Sequence, residues 1–131
     1  LFGKYYFASG LGINGTHIDE EDTAYYDILN VKCLSNENVE FFLSGIECTR
    51  MEKVEYISNF SETYNWLNVC VGNDSCNCRV CNKCIRTMTA LDSIDKLDRY
   101  KNVFDVEYFY KNRTVLLGKM LKMMKNKTIK I

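Results

Sequence analysis

The spacing of the cysteines constrains this chain more than any other feature. Seven cysteines occur in 131 residues, and five of them lie in the 15-residue run CVGNDSCNCRVCNKC at positions 70–84. The last three form two overlapping C-x2-C steps, and a tight turn of this kind lets two thiolates converge on one ion. Four thiolates placed tetrahedrally at about 2.3 Å suit Zn²⁺ and leave no position for water. The run therefore predicts a structural zinc site formed by Cys70, Cys78, Cys81 and Cys84, with Cys76 outside it.

Three other uses of the cysteines stay open at this stage. An iron–sulfur cluster also takes four cysteines, although the bacterial ferredoxin run ends in Cys-Pro and this chain contains no proline. A redox pair would need only one C-x2-C step and would leave the neighbouring thiols unexplained. Disulfides would be favoured if the Asn-x-Ser/Thr sequons were glycosylated. These five sequons begin at Asn14, Asn59, Asn73, Asn112 and Asn126. Because an odd cysteine count fits a complete disulfide framework poorly, we expect a cytoplasmic protein.

Length and charge narrow the class of protein further. The length is that of one domain, so we expect residues 1–131 to fold together, with a sheet part over 1–69, a zinc loop over 70–84 and a helical part over 85–131. The 17 Lys and Arg residues balance 17 Asp and Glu residues. Zero net charge argues against a general polyanion binder, so a nucleic-acid partner is not expected. No apolar run reaches the roughly 18 residues of a membrane-spanning helix, so a membrane partner is not expected either.

The hydrophobic pattern predicts a mixed α/β chain that is rich in helices. Short apolar runs at Lys4–Ala8 and Ile28–Leu34 are typical of strands, and Trp66–Cys70 is also β-like. Leu11–Asp27 is typical of a loop that becomes helical near its end. Helices are predicted over Asn36–Leu43, Arg50–Ser58, Ile85–Leu97 and Val106–Lys125. Ser35 and Thr49 are the candidate caps of the first two, and apolar residues recur every three positions in the third. The lysines at 119, 122, 125, 127 and 130 are interpreted as cations near the negative end of the last helix, with contact to nucleic acid or an anionic membrane as the alternative.

The cysteine run and its continuation resemble a known protein family. The segment NCRVCNKCIRTM at 77–88 looks like the zinc-binding segment of the PP-loop ATP pyrophosphatases related to 7-cyano-7-deazaguanine synthase, in which a C-G-x-C-x-x-C run opens a helix. The four predicted ligands match that pattern one by one, with Arg79 at the position where glycine is usual. Upstream, SNENVE at 35–40 and RMEKV at 50–54 are similar to segments of uncharacterised bacterial relatives. The resemblance covers roughly Tyr5 to Leu97.

The resemblance implies both a fold and an activity. It implies that the chain is the C-terminal part of a parallel-sheet PP-loop-like domain, in which Lys4–Ala8 is a late strand and the zinc loop leads into helices. Such enzymes use ATP to adenylate a carboxylate or amide oxygen, release pyrophosphate, and let an amine or ammonia attack. Arg50, Lys53 and Arg86 would face the nucleotide or substrate, and the catalytic residues stay unknown.

The ATP-binding loop of that family does not occur in this sequence. The family binds pyrophosphate with a Ser-Gly-Gly-x-Asp-Ser loop, whereas ASGLG at 8–12 lacks the paired glycines and the Asp-Ser. We therefore expect ATP to be bound only if an N-terminal half or a partner subunit supplies that loop, and we expect this chain alone to be inactive. The alternative is a non-catalytic, zinc-stabilised interaction module, and a homo-oligomer is a further partner to consider.

Overall fold

The computed structural model describes residues 3–10, 12–13, 26–70, 72 and 76–128. The chain divides into two compact units, Leu1–Lys53 and Val54–Ile131. The loop predicted over Leu11–Asp27 falls largely outside the described residues, and the sequons at Asn14 and Asn73 fall wholly outside them. The prediction that all 131 residues form one domain stays a prediction.

A parallel pair of strands organises the first unit. Strand β1 (Lys4–Ala8) pairs residue by residue with strand β2 (Glu40–Ser44). Parallel strands need a crossover connection, and helix α1 (Asp27–Leu34) lies in that connection and packs against β2. The rings of Tyr6 and Phe42 stack across the pair with their centroids 5.1 Å apart. The predicted strand at Lys4–Ala8 and the mixed α/β class are confirmed, whereas a PP-loop-like domain stays a prediction.

The strand predicted over Ile28–Leu34 is wrong, because this segment forms helix α1. Its apolar residues Ile28, Val31 and Leu34 are three positions apart, a spacing that is compatible with a helix. The same short apolar run is also compatible with a buried strand. Periodicity cannot separate the two structures over so few residues. Packing against β2 decides the matter, and Val31 is the residue that the helix buries.

The helix predicted over Asn36–Leu43 is also wrong, because this segment turns and then enters strand β2. The Asn36 side-chain oxygen accepts hydrogen bonds from the backbone N–H groups of Asn38 at 2.9 Å and Val39 at 3.1 Å. Such bonds also occur at helix starts, but here the Val39 carbonyl accepts the Asn36 N–H at 2.9 Å and the Glu40 N–H donates to the Gly3 carbonyl at 3.1 Å, so these backbone groups form a turn and a strand pair and not a helix. The Ser35 hydroxyl then accepts the Phe41 N–H at 3.0 Å, which fixes the start of the strand.

Helix α2 (Arg50–Ile57) confirms the helix predicted over Arg50–Ser58. A capping box begins it: the Glu52 carboxylate accepts the Thr49 N–H at 2.6 Å, and the Thr49 hydroxyl accepts the Glu52 N–H at 3.3 Å.

Helices and one 3-10 turn form the second unit around a single core. After α2 come α3 (Thr63–Trp66), α4 (Asn82–Ser93), a 3-10 helix (Leu97–Tyr100), α5 (Val106–Lys111) and α6 (Arg113–Thr128). The fully buried side chains include Ile85, Met88, Leu91, Tyr100 and Phe109. Three of these lie on the apolar stripe of α4 that the spacing of three predicted.

Three element boundaries in this unit differ from the sequence prediction. The segment predicted as one helix over Val106–Lys125 is broken at Asn112, whose side-chain amide donates to the Tyr108 carbonyl at 2.9 Å. The helix predicted over Ile85–Leu97 starts earlier and ends at Ser93. The β-like run Trp66–Cys70 contains the end of α3 and then extended chain that pairs with no strand of the described residues.

Candidate metal centre

The cysteine run folds so that each C-x2-C step closes on a sulfur. The Cys78 sulfur accepts the backbone N–H of Cys81 at 3.4 Å, and the Cys81 sulfur accepts that of Cys84 at 3.4 Å. Cys81 is also the N-cap of α4, so the second step is a helix start in which sulfur replaces the usual side-chain oxygen. The extended chain before the run delivers Cys70 to the same place.

The four predicted ligands lie together in the second unit. Their sulfur atoms all lie within 4.8 Å of one another, and the sulfurs of Cys70 and Cys81 are 4.0 Å apart. A tetrahedral ion with bonds of about 2.3 Å separates its sulfur ligands by about 3.8 Å. The cluster can therefore surround one ion with little rearrangement. Cys76 is exposed and is not a member of the cluster.

The electrostatic environments of the sulfurs differ. The N–H groups of Cys81 and Val80 lower the pKa of the Cys78 thiol. At Cys81, burial raises the pKa of the thiol, but the Cys84 N–H and the neighbouring thiols lower it by more, so the pKa of Cys81 is lowered overall. Burial raises the pKa of the Cys84 thiol to about 12, with Cys81 adding to the effect. An ion that enters must therefore displace a proton from Cys84, so metal affinity rises with pH.

Asn77 is the supporting residue that sequence reasoning missed. Its buried side-chain oxygen accepts the Val69 N–H at 2.9 Å, and its amide donates to the carbonyls of Leu67 and Val103, each at 2.9 Å. The Cys84 thiol also lies 3.9 Å from that oxygen. One side chain thus joins the extended chain before the cluster, the last ligand, and the turn before α5. The only available signal was an asparagine next to a ligand, which is not specific.

Arg79 has a backbone conformation that glycine adopts more easily. Its φ is +68°, in the left-handed region that costs a residue with a Cβ about 1–2 kcal/mol. The Arg79 guanidinium binds the Asp105 carboxylate at 2.8 Å and lies over the Tyr108 ring. Arg79 therefore has a strained backbone, and its side chain contacts α5 and the residue before it.

The predicted nucleotide-facing residues fall in different units. Lys53 donates to the Ser9 carbonyl at 3.0 Å, and Arg50 donates to the Gly10 carbonyl at 3.3 Å. Both carbonyls follow β1, so these two cations lie at the carboxyl ends of the parallel strands. Arg86 lies in the second unit, half-buried on α4.

All seven cysteines lie in the described part of the chain, and no disulfide joins any of them. Among the described residues, every helix is too short or too polar to cross a bilayer.

No family model, curated protein or solved structure matches this chain significantly.

We expect Asn77→Ala to lower the free energy of unfolding of the second unit by about 2–4 kcal/mol, because buried backbone groups lose their partners. The matched control is Asn68→Ala, which removes one exposed bond to the Cys70 N–H and should cost about 1 kcal/mol or less. Urea unfolding followed by helical circular dichroism measures both. Equal losses for the two variants would contradict the role given to Asn77.

We expect Arg79→Gly to be more stable than Arg79→Ala by about 1 kcal/mol, because both lose the Asp105 contact and only glycine relieves the positive φ. The control pair is Lys122→Gly and Lys122→Ala in α6, where the order should reverse by a similar amount because glycine is the poorer helix former. Thermal unfolding compares the four variants. Greater stability of the alanine variant at both positions would show that Arg79 is unstrained.

Proposed function

We propose that Cys70, Cys78, Cys81 and Cys84 hold one structural Zn²⁺ ion that stabilises the second unit. The observation that carries this proposal is the convergence of four sulfurs within 4.8 Å of one another. Four thiolates fill a tetrahedral zinc ion and leave it no open position for catalysis. A four-iron cluster would place each thiolate on a different iron atom, and its sulfurs would stand farther apart. A single iron ion fits the same tetrahedron and is distinguished by experiment.

The contacts of the cysteine loop explain why a metal would matter to the whole unit. The loop reaches the turn before α5 through Asn77 and Arg79, and it reaches α6 through Lys119, which donates to the Val80 carbonyl at 3.0 Å. A structural zinc ion contributes about 10–16 kcal/mol in small peptides, against about 5–15 kcal/mol for the stability of a whole domain. Loss of the ion should therefore loosen α4, α5 and α6 together.

We expect Cys78→Ser to abolish stoichiometric zinc and to lower the melting temperature, whereas Cys76→Ser should retain about one zinc per chain. The two cysteines are two residues apart, and only Cys78 belongs to the cluster. Elemental analysis of the purified variants, followed by thermal unfolding with and without chelator, measures both effects. A coloured protein with one iron per chain would show that the bound metal is iron and not zinc. Absence of metal from the unmutated chain would contradict the proposal.

We infer that the zinc-stabilised unit and the strand pair belong to a PP-loop-like, ATP-dependent amidating or nucleobase-modifying enzyme. One supporting observation is the left-handed backbone at Arg79, where that family carries glycine. Another is that Arg50 and Lys53 bind the carbonyls that follow β1, because open parallel sheets bind ligands at the carboxyl ends of their strands. The ATP-binding loop would come from an N-terminal half or a partner subunit, and ATP would be a cofactor only in that assembly.

We expect the 131-residue chain alone to release no pyrophosphate from ATP, and we expect activity when the ATP-binding half is supplied in the same chain or by co-expression. In that assembly, Lys53→Gln should lower kcat/KM by about tenfold or more, since this cation lies at the carboxyl ends of the strands, where such sheets bind their ligands. Lys32→Gln removes an exposed charge from α1 and is the matched control. Turnover by the isolated chain would contradict the assignment of a missing half.

A non-catalytic interaction module is the second candidate. It is favoured by Trp66, the only tryptophan, whose side chain is 84% exposed at the end of α3. Tryptophan is enriched where proteins bind one another, and so exposed a ring contributes little to the fold. A chain that stays inactive with every ATP-binding half, but loses a protein partner on Trp66→Ala, would favour this candidate.

A further inference from the structure

The zero net charge of the chain conceals two oppositely charged units. The unit Leu1–Lys53 contains 4 basic and 9 acidic residues, whereas Val54–Ile131 contains 13 basic and 8 acidic residues. The net charges are therefore −5 and +5. The zero overall charge therefore does not exclude a polyanion partner for the second unit, because phosphate contacts depend on local cationic surplus.

The surplus is concentrated on helix α6 and beside the cysteine loop. Residues 113–128 include five basic residues and no acidic residue. Arg113 is neutralised by Asp92, at 2.7 Å. Lys119, Lys122 and Lys125 are exposed, and no carboxylate of the described residues forms an ion pair with them. Lys83, also exposed, lines with Lys119 one shallow depression at the start of α4. These four lysines are called the lysine face.

We propose that the lysine face binds the sugar–phosphate backbone of a nucleic acid. The rise of 1.5 Å per residue places Lys119 and Lys125 about 9 Å apart along α6, a distance that corresponds to the axial rise of two to three nucleotides at about 3.4 Å each. Lysine is a flexible point charge that suits a backbone contact better than readout of base edges. The contact would therefore be weak, sensitive to salt and largely independent of sequence.

The packing of α6 disfavours a membrane as the partner. A helix that lies on a bilayer needs a free apolar face to insert below the headgroups. In α6 that face is already used, since Leu116 is buried in the core of the second unit and Met120 packs against it. The exposed side keeps Val115 and Leu121 as its isolated large apolar residues among the described side chains.

The composition of the face also disfavours an acidic protein. The buried centres of protein interfaces are enriched in aromatic residues, methionine and arginine, and are depleted of lysine. Residues 113–128 contain no aromatic residue, and their single arginine is paired with Asp92. Phosphate charge along a strand is the complementary surface that it fits.

The test is fluorescence anisotropy of a labelled 20-nucleotide RNA titrated with the full chain between about 50 and 200 mM salt. The unmutated chain should bind with a dissociation constant of about 10⁻⁶ to 10⁻⁴ M. Lys122→Gln combined with Lys125→Gln should weaken binding about tenfold and reduce the slope of log K against log salt by about 1.4, which is two single-strand phosphate contacts. Lys119 is left in place because it also supports the Val80 carbonyl.

The matched control is Lys4→Gln combined with Lys32→Gln, which removes the same charge from exposed positions of the first unit. Unchanged binding of this control supports the proposal, whereas equal weakening would reduce the effect to overall charge and overturn it. Binding to vesicles of anionic lipid but not to RNA would overturn it in favour of a membrane. Salt-sensitive self-association that the α6 double variant abolishes, without RNA binding, would overturn it in favour of the acidic unit of a second copy.

Discussion

Convergence of four sulfur atoms on one point is the interaction on which the second unit depends. Three of the sulfurs belong to a turn that becomes the start of α4, and the fourth arrives on extended chain from α3. Asn77 holds both approaches and the turn before α5 by buried hydrogen bonds. Since these contacts come from three segments of the chain, a bound ion would act as a cross-link between them.

The first unit depends on a different constraint. Parallel strands are normally buried on both faces, yet Tyr5, Tyr6 and Phe7 of β1 are all exposed. The two-stranded pair is held by α1 and by Lys53 and Arg50, which bind the carbonyls after β1. A strand pair of this kind is marginal by itself, and it agrees with the proposal that further parts of a parallel sheet are supplied from elsewhere.

The sequence predicted the elements whose signals are long or chemically specific. The helix at Arg50 was predicted from its cap, and the apolar stripe of α4 from residues three positions apart, as at Ile85, Met88 and Leu91. The errors fall where signals are short. Ile28–Leu34 suits both a helix and a strand, and the turn made by the Asn36 side chain is invisible in a pattern of apolar residues. The break at Asn112 was missed because apolar spacing continues across it.

The sequence by itself determined which four cysteines could share an ion, because their spacing limits the turns that the backbone can make between them. It also fixed the positions of the charges along the chain, but the division into an acidic and a basic unit came from the structure. Only the tertiary structure decided that Cys70 reaches the other three sulfurs, that Asn77 joins three segments, and that Arg79 has a positive φ. The physical reason is that these features depend on contacts between residues distant in the chain, and such contacts exist only when the whole unit has packed.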